Sequence, residues 1–265
     1  MRGGVNLVRT VPIPTVYHMK TLFLVTKVPA LGHSKTRLGR TVGNDLAYEF
    51  AQASLLDLME RLATEVTSWQ RLVVLYFPAE AKPRLVDLLE RNLPPRVVAR
   101  WELELFNHKG NNDAELVVGL GVGLANALFG EMARGATMVG FMGMDSPQMP
   151  SELLNEAAVQ STICAARDGG YTLLSVEVGD LPPARAWDAF ANIDWSTPQT
   201  MQMQLLALTQ SFPTAPQIHS ELMLDVDEEQ DLRDLFALYK HRLGNRVVQL
   251  LDRLPQGSTP SPPTT

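Results

Sequence analysis

Apolar positions along this chain fall into two alternating kinds of segment. Residues 21–26, 71–77 and 137–142 are short, nearly continuous apolar runs rich in β-branched side chains. Runs of that length predict strands buried on both faces. Between the first two, residues 44–62 place Leu46, Phe50, Ala53, Leu56, Leu58 and Met59 at helical spacing behind Asn44, a candidate cap. The same reading predicts helices over 82–92, 113–132 and 151–158, the last capped by Ser151, and a third strand over 96–101. Strand and helix in alternation predict an α/β sheet.

The rhythm changes after residue 158. Residues 161–166 and 171–176 read as two short strands joined by Arg167, Asp168, Gly169 and Gly170, where adjacent glycines permit a tight hairpin. A helix over 198–208, a strand near 219–224 and a long helix over 228–239 follow. No internal repeat is evident. Met19 directly precedes the first strand, so residues 1–19 read as an extension, 20–254 as one domain, and the Pro, Ser and Thr-rich 255–265 as a disordered tail.

With 265 residues, 45% hydrophobic and 20% charged, the chain has the composition of a soluble globular protein with a full core. A net charge of −6 argues against a nucleic-acid surface, which needs a basic field. Cys164 is the single cysteine, so no intramolecular disulfide forms and a reducing compartment is expected. The histidines lack paired ligand spacing, which leaves a structural zinc site without support. No apolar run reaches the length of a membrane span. Arg2 and Arg9 without an acid resemble a transit peptide in composition, but Pro12 and Pro14 interrupt any amphipathic helix there. The cytoplasm is therefore the expectation, and organelle import the alternative.

Chemistry concentrates in residues 27–38, KVPALGHSKTRL, directly after the first strand. Gly32 supplies positive φ and a close backbone approach to an anion, Lys35 a point charge, and Arg37 a planar fork of donors. Such a loop suits the phosphates of a nucleotide, with Lys35 and Arg37 both expected to be exposed. Asp145 stands just past the end of a central strand, ahead of Ser146 and Pro147, where ligand sites of open α/β sheets lie. A carboxylate facing that loop suits a divalent cation bridging diphosphate oxygens. The competing reading is an aspartate capping a turn before Pro147. Gly119, Gly121 and Gly123 imitate a dinucleotide fingerprint, but the third glycine comes one position early and Glu115 spoils the strand before it. Their other reading is a helix packed closely on the sheet.

Taken in order, Lys27-x-Pro29-x-x-Gly32-x-x-Lys35-Thr36-Arg37-Leu38, Gly143-x-Asp145-Ser146-Pro147, Asp168-Gly169-Gly170-Tyr171, Trp195-Ser196-Thr197 and Asp225-Val226-Asp227 resemble the rSAM/selenodomain-associated transferase family. Its members are glycosyltransferase-A-like proteins, and the resemblance runs from about residue 20 to about residue 240. It implies a single three-layer, Rossmann-like nucleotide-diphospho-sugar transferase domain with a mostly parallel mixed sheet. It also implies Mg or Mn on Asp145, and a nucleotide held by Lys27, Pro29, Gly32, Lys35, Thr36 and Arg37. Asp168, Gly169 and Gly170 would border the transferred group, with Asp168 an acid, base or second ligand. Trp195 would stack on a sugar or a base, although Ser196 or Thr197 capping the next helix explains half of that motif. Helix capping is favoured for Asp227, while Asp225 stays open between capping and the metal. The family's Asp-Leu-Gly-x-Arg-like segment is replaced by Gly119-Leu120-Gly121-Val122-Gly123, which removes a charged pair.

The function expected is a metal-dependent transferase that moves a sugar from a nucleoside diphosphate sugar to an unknown acceptor. A nucleotidyltransferase that releases pyrophosphate is the nearest alternative, and a catalytically silent nucleotide-binding protein another. Base, sugar, stereochemistry and oligomeric state leave no readable mark in the sequence.

Overall fold

The computed structural model describes residues 19–107, 113–190 and 192–253, the side chains of 113–118 excepted. The proposed extension before residue 19 and the tail beyond residue 254 lie outside the described residues. The strands are β1 Met19–Lys27, β2 Arg71–Phe77, β3 Trp101–Leu105, β4 Ala136–Gly143, β5 Thr162–Ala166, β6 Tyr171–Glu177 and β7 Gln217–Met223. They form one sheet in the order β3-β2-β1-β4-β6-β5-β7. Neighbours are parallel except around β6, which runs antiparallel to both β4 and β5.

The helices are α1 Thr36–Val42, α2 Asn44–Glu65, α3 Lys82–Asn92, α4 Pro95–Val98, α5 Asp113–Ala133, α6 Ser151–Ala157, α7 Arg185–Phe190, α8 Thr200–Ser211, α9 Glu229–Tyr239 and α10 Asn245–Leu251. They cover both faces of the sheet, which is why its central strands are apolar at every position. Alternation sorts the side chains. Leu22, Leu24, Leu72 and Val74 pack with α2, α3 and α6, whereas Phe23, Val73, Leu75 and Val139 pack with α5, α7 and α8. Phe23 stacks on Phe141 at 5.2 Å between ring centroids. A third apolar cluster joins α1, α2, α9 and α10 through Leu38, Phe50, Leu235 and Val247. No helix among the described residues is long and apolar enough to cross a membrane. Cys164 is buried in β5, and burial, with Glu221 nearby, pushes its thiol up to about 12.

Three local expectations are corrected. Pro95 starts the helical turn α4, because proline at a first helical position has its φ pre-set. The third strand therefore begins at Trp101, whose Nε1 donates to the Met59 carbonyl at 3.1 Å. Gly43, at φ 91°, occupies the cap position of α2 in place of Asn44. Ser151 is the first residue of α6 rather than its cap, and its Oγ donates to Glu65 Oε2 at 2.7 Å. The glycines at 119, 121 and 123 lie inside α5, so no dinucleotide turn forms there. A Cβ at Gly123 would overlap the Phe106 ring.

Candidate active site at the carboxyl ends of β1 and β4

The chain leaving β1 turns tightly. Ala30 O accepts from His33 N and Ser34 N, both at 3.0 Å, while Ala30 N donates to the buried Ser34 Oγ at 2.8 Å. Gly32 takes φ 73°, as the turn requires. Lys35 follows in the left-handed region at φ 49° and ψ 49°, a conformation that costs a lysine about 1 to 2 kcal/mol. That geometry begins α1 and sends the side chain inward, contrary to the expected exposure. Lys35 is only 6% exposed, with Nζ 2.9 Å from Asp145 Oδ1 and 3.2 Å from Asp227 Oδ1. Arg37 is 66% exposed, as expected, and reaches Asp227 Oδ2 at 3.3 Å.

Backbone fastening explains how acids distant in sequence meet. Ser146 Oγ and Gln148 Nε2 both donate to the Leu224 carbonyl, at 2.8 and 2.7 Å, and Val226 N donates to the Asp145 carbonyl at 3.1 Å. The segment after β7 is thereby tied to the segment after β4. Asp227 is not the cap of α9, because Glu228 and Asp231 form a capping box there. Its carboxylate bridges Lys35 and Arg37 instead.

Charge in this cluster is unevenly compensated. Asp145 Oδ1 and Asp225 Oδ1 are sealed from solvent without a hydrogen bond, Asp145 Oδ1 being close to Lys35 Nζ but out of line for one. Burial, then the charges of Asp145, Asp227 and Asp168, push Asp225 up to about 7 against the pull of Lys35. Burial opposes the charge on Lys35, yet Asp145, Asp225 and Asp227 together hold its pKa above the ordinary lysine value.

Beside the cluster opens a cavity of about 380 Å³. Lys27, Asp145, Asp168, Thr172 and Asp225 give it a polar side, and Leu120, Leu124, Tyr171 and Trp195 an apolar one. The β5–β6 hairpin shapes its rim. Asp168 Oδ1 accepts from Gly170 N at 2.9 Å, and Gly169 sits at φ 90° so close to Pro198 that a Cβ would overlap its backbone. Tyr171 OH donates to Gln204 Oε1 at 3.1 Å, and burial raises its pKa, so the phenol stays neutral. Trp195 lies 6.5 Å from the Tyr171 ring and is seated on α5 at Gly121, where a Cβ would come within 3.0 Å of its Nε1. Neither Ser196 nor Thr197 caps α8. The helix begins at Thr200 without a side-chain cap bond, and the hydroxyls of Thr197 and Thr200 both donate to the Asp194 carbonyl.

Of the residues singled out in the sequence, Lys27, Asp145, Asp168, Gly170, Trp195 and Asp225 line the cavity. Lys35 joins them through its ion pairs and Arg37 through Asp227. Pro29 is buried under the loop, Gly32 and Thr36 are exposed on it, and Gly169 faces Pro198 behind the hairpin. Sequence reasoning missed Thr172, whose buried Oγ1 has no hydrogen-bond partner. The signal was a lone hydroxyl in the period-two stripe with Leu174 and Val176. A larger cavity, about 720 Å³ between α2, α6 and the start of α10, is lined mostly by groups paired with one another, such as Arg246 with Asp57 and Glu60.

The acids suit a hard cation. Among the described residues no group of three His, Cys, Asp or Glu side chains is arranged to hold a metal ion. Mg²⁺, however, is commonly held by one or two carboxylates completed by substrate phosphates and water. The sealed oxygens of Asp145 and Asp225, neither of them in a hydrogen bond and that of Asp145 in an ion pair with Lys35, fit that part.

The sheet, with its cavity at the strand ends, has the fold of a solved nucleotide-diphospho-sugar transferase-like protein. That protein, from Desulfovibrio desulfuricans G20, is described as a "putative nucleotide-diphospho-sugar transferase": 24% identity over 88% of this chain and 94% of that one, TM-score 0.67. Weaker likenesses include a nucleotidyl transferase from Methanothermobacter thermautotroptrophicus, at 12% identity over 84% and 97% of the two chains and TM-score 0.48. A Mycobacterium tuberculosis H37Rv protein solved as a complex with manganese aligns at 14% identity over 83% and 99%, TM-score 0.43. Residues 114–197 match the family described as "Uncharacterized protein conserved in bacteria (DUF2064)". A comparison with curated protein sequences finds no match.

Proposed function

We propose that this protein is a metal-dependent glycosyltransferase that takes a nucleoside diphosphate sugar and passes the sugar to an acceptor hydroxyl. The observation carrying the proposal is the convergence of Lys27, Asp145, Asp168 and Asp225 on one cavity at the carboxyl ends of β1 and β4, with two sealed carboxylate oxygens outside any hydrogen bond. The fold supports the reading, since ligands of open α/β sheets bind at those strand ends. Asp145 and Asp225 would hold Mg or Mn, which when bound neutralises charge on a diphosphate leaving group.

The chain's own groups divide the remaining work. Lys27 and Arg37 offer the phosphates charge-assisted donors, and Lys35 reaches them only by leaving its ion pairs with Asp145 and Asp227. Trp195 and Tyr171, with Leu120 and Leu124, give the sugar an apolar wall and keep water from the anomeric carbon. Asp168, on the rim, accepts the acceptor's proton as its oxygen bonds to the anomeric carbon and the bond from that carbon to the diphosphate oxygen breaks. The product side is a nucleoside diphosphate.

The test is product analysis. Purified protein with Mn²⁺ and a panel of sugar nucleotides is expected to release nucleoside diphosphate from at least one of them, slowly, with water as the acceptor. Pyrophosphate released from a triphosphate in the presence of a phosphorylated small molecule would replace this reading with nucleotidyl transfer. Tight nucleotide binding with neither product would make the protein a silent nucleotide binder.

A further inference from the structure

Lys35 sits where a phosphate-binding lysine would be least useful. Its backbone is held left-handed and its side chain is almost enclosed, with the ammonium against Asp145 and Asp227 rather than facing the cavity with Lys27. The charges of the same acids act on Asp225, whose Oδ1 is sealed without a hydrogen bond. One ammonium therefore serves several carboxylates and leaves donor oxygens unmet. Two cations close together repel, and the Lys35 ammonium, 2.9 Å from Asp145 Oδ1, stands where a divalent ion on that oxygen would sit.

Resting on the reading of this cluster as the cation's seat, we propose that Lys35 is a resident counter-ion that the divalent metal displaces. In the nucleotide-free protein its ammonium neutralises Asp145 and Asp227. When the metal enters, the side chain swings out to the diphosphate. Metal and nucleotide then bind as a coupled pair, each raising affinity for the other by the same factor, and metal alone binds poorly.

The experiment measures Mn²⁺ binding to the full chain without nucleotide, from the electron paramagnetic resonance signal of free Mn²⁺. Lys35→Met, which keeps length and loses charge, is expected to bind Mn²⁺ at least tenfold more tightly than the parent, while Lys35→Arg stays weak. In the parent a nucleoside diphosphate should strengthen Mn²⁺ binding at least tenfold, and in Lys35→Met that coupling should weaken to the part carried by direct contact between metal and diphosphate. Mn²⁺ binding to Lys35→Met no tighter than to the parent overturns the proposal. Absence of Mn²⁺ binding in all three proteins overturns it together with the cation seat. Tight Mn²⁺ binding by Lys35→Met without any nucleotide binding sustains the displacement and overturns the transferase reading instead. If Lys35→Met does not fold, the parent answers alone. Acetic anhydride followed by peptide mass spectrometry should label Lys35 at least fivefold faster at Mn²⁺ concentrations that saturate the parent, without nucleotide, than in chelator, and an unchanged rate overturns the exchange.

Discussion

At the amino ends of β1 and β2, Glu131 of α5 is fully buried, and both of its oxygens are engaged. Oε2 accepts from Thr21 Oγ1 at 2.5 Å, and Oε1 from Arg71 and Arg134 at 2.5 and 2.6 Å. Arg71 also reaches Glu102 and Glu104, at 2.7 and 2.5 Å. At the carboxyl ends of β1 and β4, by contrast, Asp145, Asp225 and Asp227 share Lys35, with Arg37 outside, and two carboxylate oxygens are sealed without a hydrogen bond. A buried charge that is fully paired secures the packing around it. A buried acid left unpartnered and driven up in pKa by its neighbours is a group prepared for a ligand. The sheet thus carries a fully paired charge cluster at one end and, on the proposed reading, a ligand-binding one at the other.

The difference is broken most forcefully at Glu131. Glu131→Ala removes a fully buried acid, leaves Thr21 Oγ1 without its acceptor and takes one partner from Arg71, which keeps Glu102 and Glu104, and losing such buried hydrogen bonds to a charged group costs about 1 to 3 kcal/mol. Urea denaturation should show that loss, with nucleotide affinity per folded molecule unchanged. A loss under about 1 kcal/mol, the scale of an exposed pair, would erase the distinction.

Asp225→Asn should act with the opposite sign. Removing one negative charge from a crowded cluster is expected to stabilise the metal-free protein by about 0.5 to 2 kcal/mol at pH 8, while Mn²⁺-dependent nucleotide binding is lost. Destabilisation with binding intact would make Asp225 a packing residue.

The sign also follows from pH. Below about pH 4 both folded and unfolded chains hold the Asp225 proton. Between there and its folded value of about 7 the native state binds more protons, so metal-free stability falls as pH rises through this window. Melting in excess chelator should therefore drop from pH 5 to pH 8 in the parent, and drop less in Asp225→Asn. Parallel curves would assign the dependence to other groups.

The smallest effect on stability is expected at Arg37, whose pair with Asp227 is exposed and contributes at most about 1 kcal/mol. Arg37→Ala should melt with the parent yet bind nucleoside diphosphate about tenfold more weakly, as loss of one charge-assisted contact of roughly 1.5 kcal/mol implies. A large drop in melting temperature would move Arg37 to the structural side.

Much of this division is visible along the chain, for identifiable reasons. The central strands declare themselves because burial on both faces removes every polar position from residues 72–75. The loop over 27–38 and Asp145 are legible because each follows a strand end. Side-chain direction is not. Lys35 reads as an exposed loop lysine, and only its left-handed backbone turns it inward. Asp227 reads as a cap because it precedes α9, but Glu228 with Asp231 takes that task three residues apart. Trp101 shows the same limit in the fold, since Pro94 and Pro95 favour a helical turn that apolar Val97 and Val98 disguise as strand. Gly121 and Gly123 carry no periodic signal for the rings they accommodate, and those contacts come from distant segments.

The central claim, that Asp145 and Asp225 form a cation seat for a nucleotide's diphosphate, is tested most directly by thermal shift with nucleoside diphosphates in Mn²⁺ and in excess chelator, for the parent and Asp145→Asn. At a hundred times the dissociation constant the ligand should stabilise the parent by about 2.7 kcal/mol with Mn²⁺. Little or no shift is predicted in chelator or in Asp145→Asn under either condition. Equal stabilisation of the parent with and without the metal, or full Mn²⁺-dependent stabilisation of Asp145→Asn, would contradict the account.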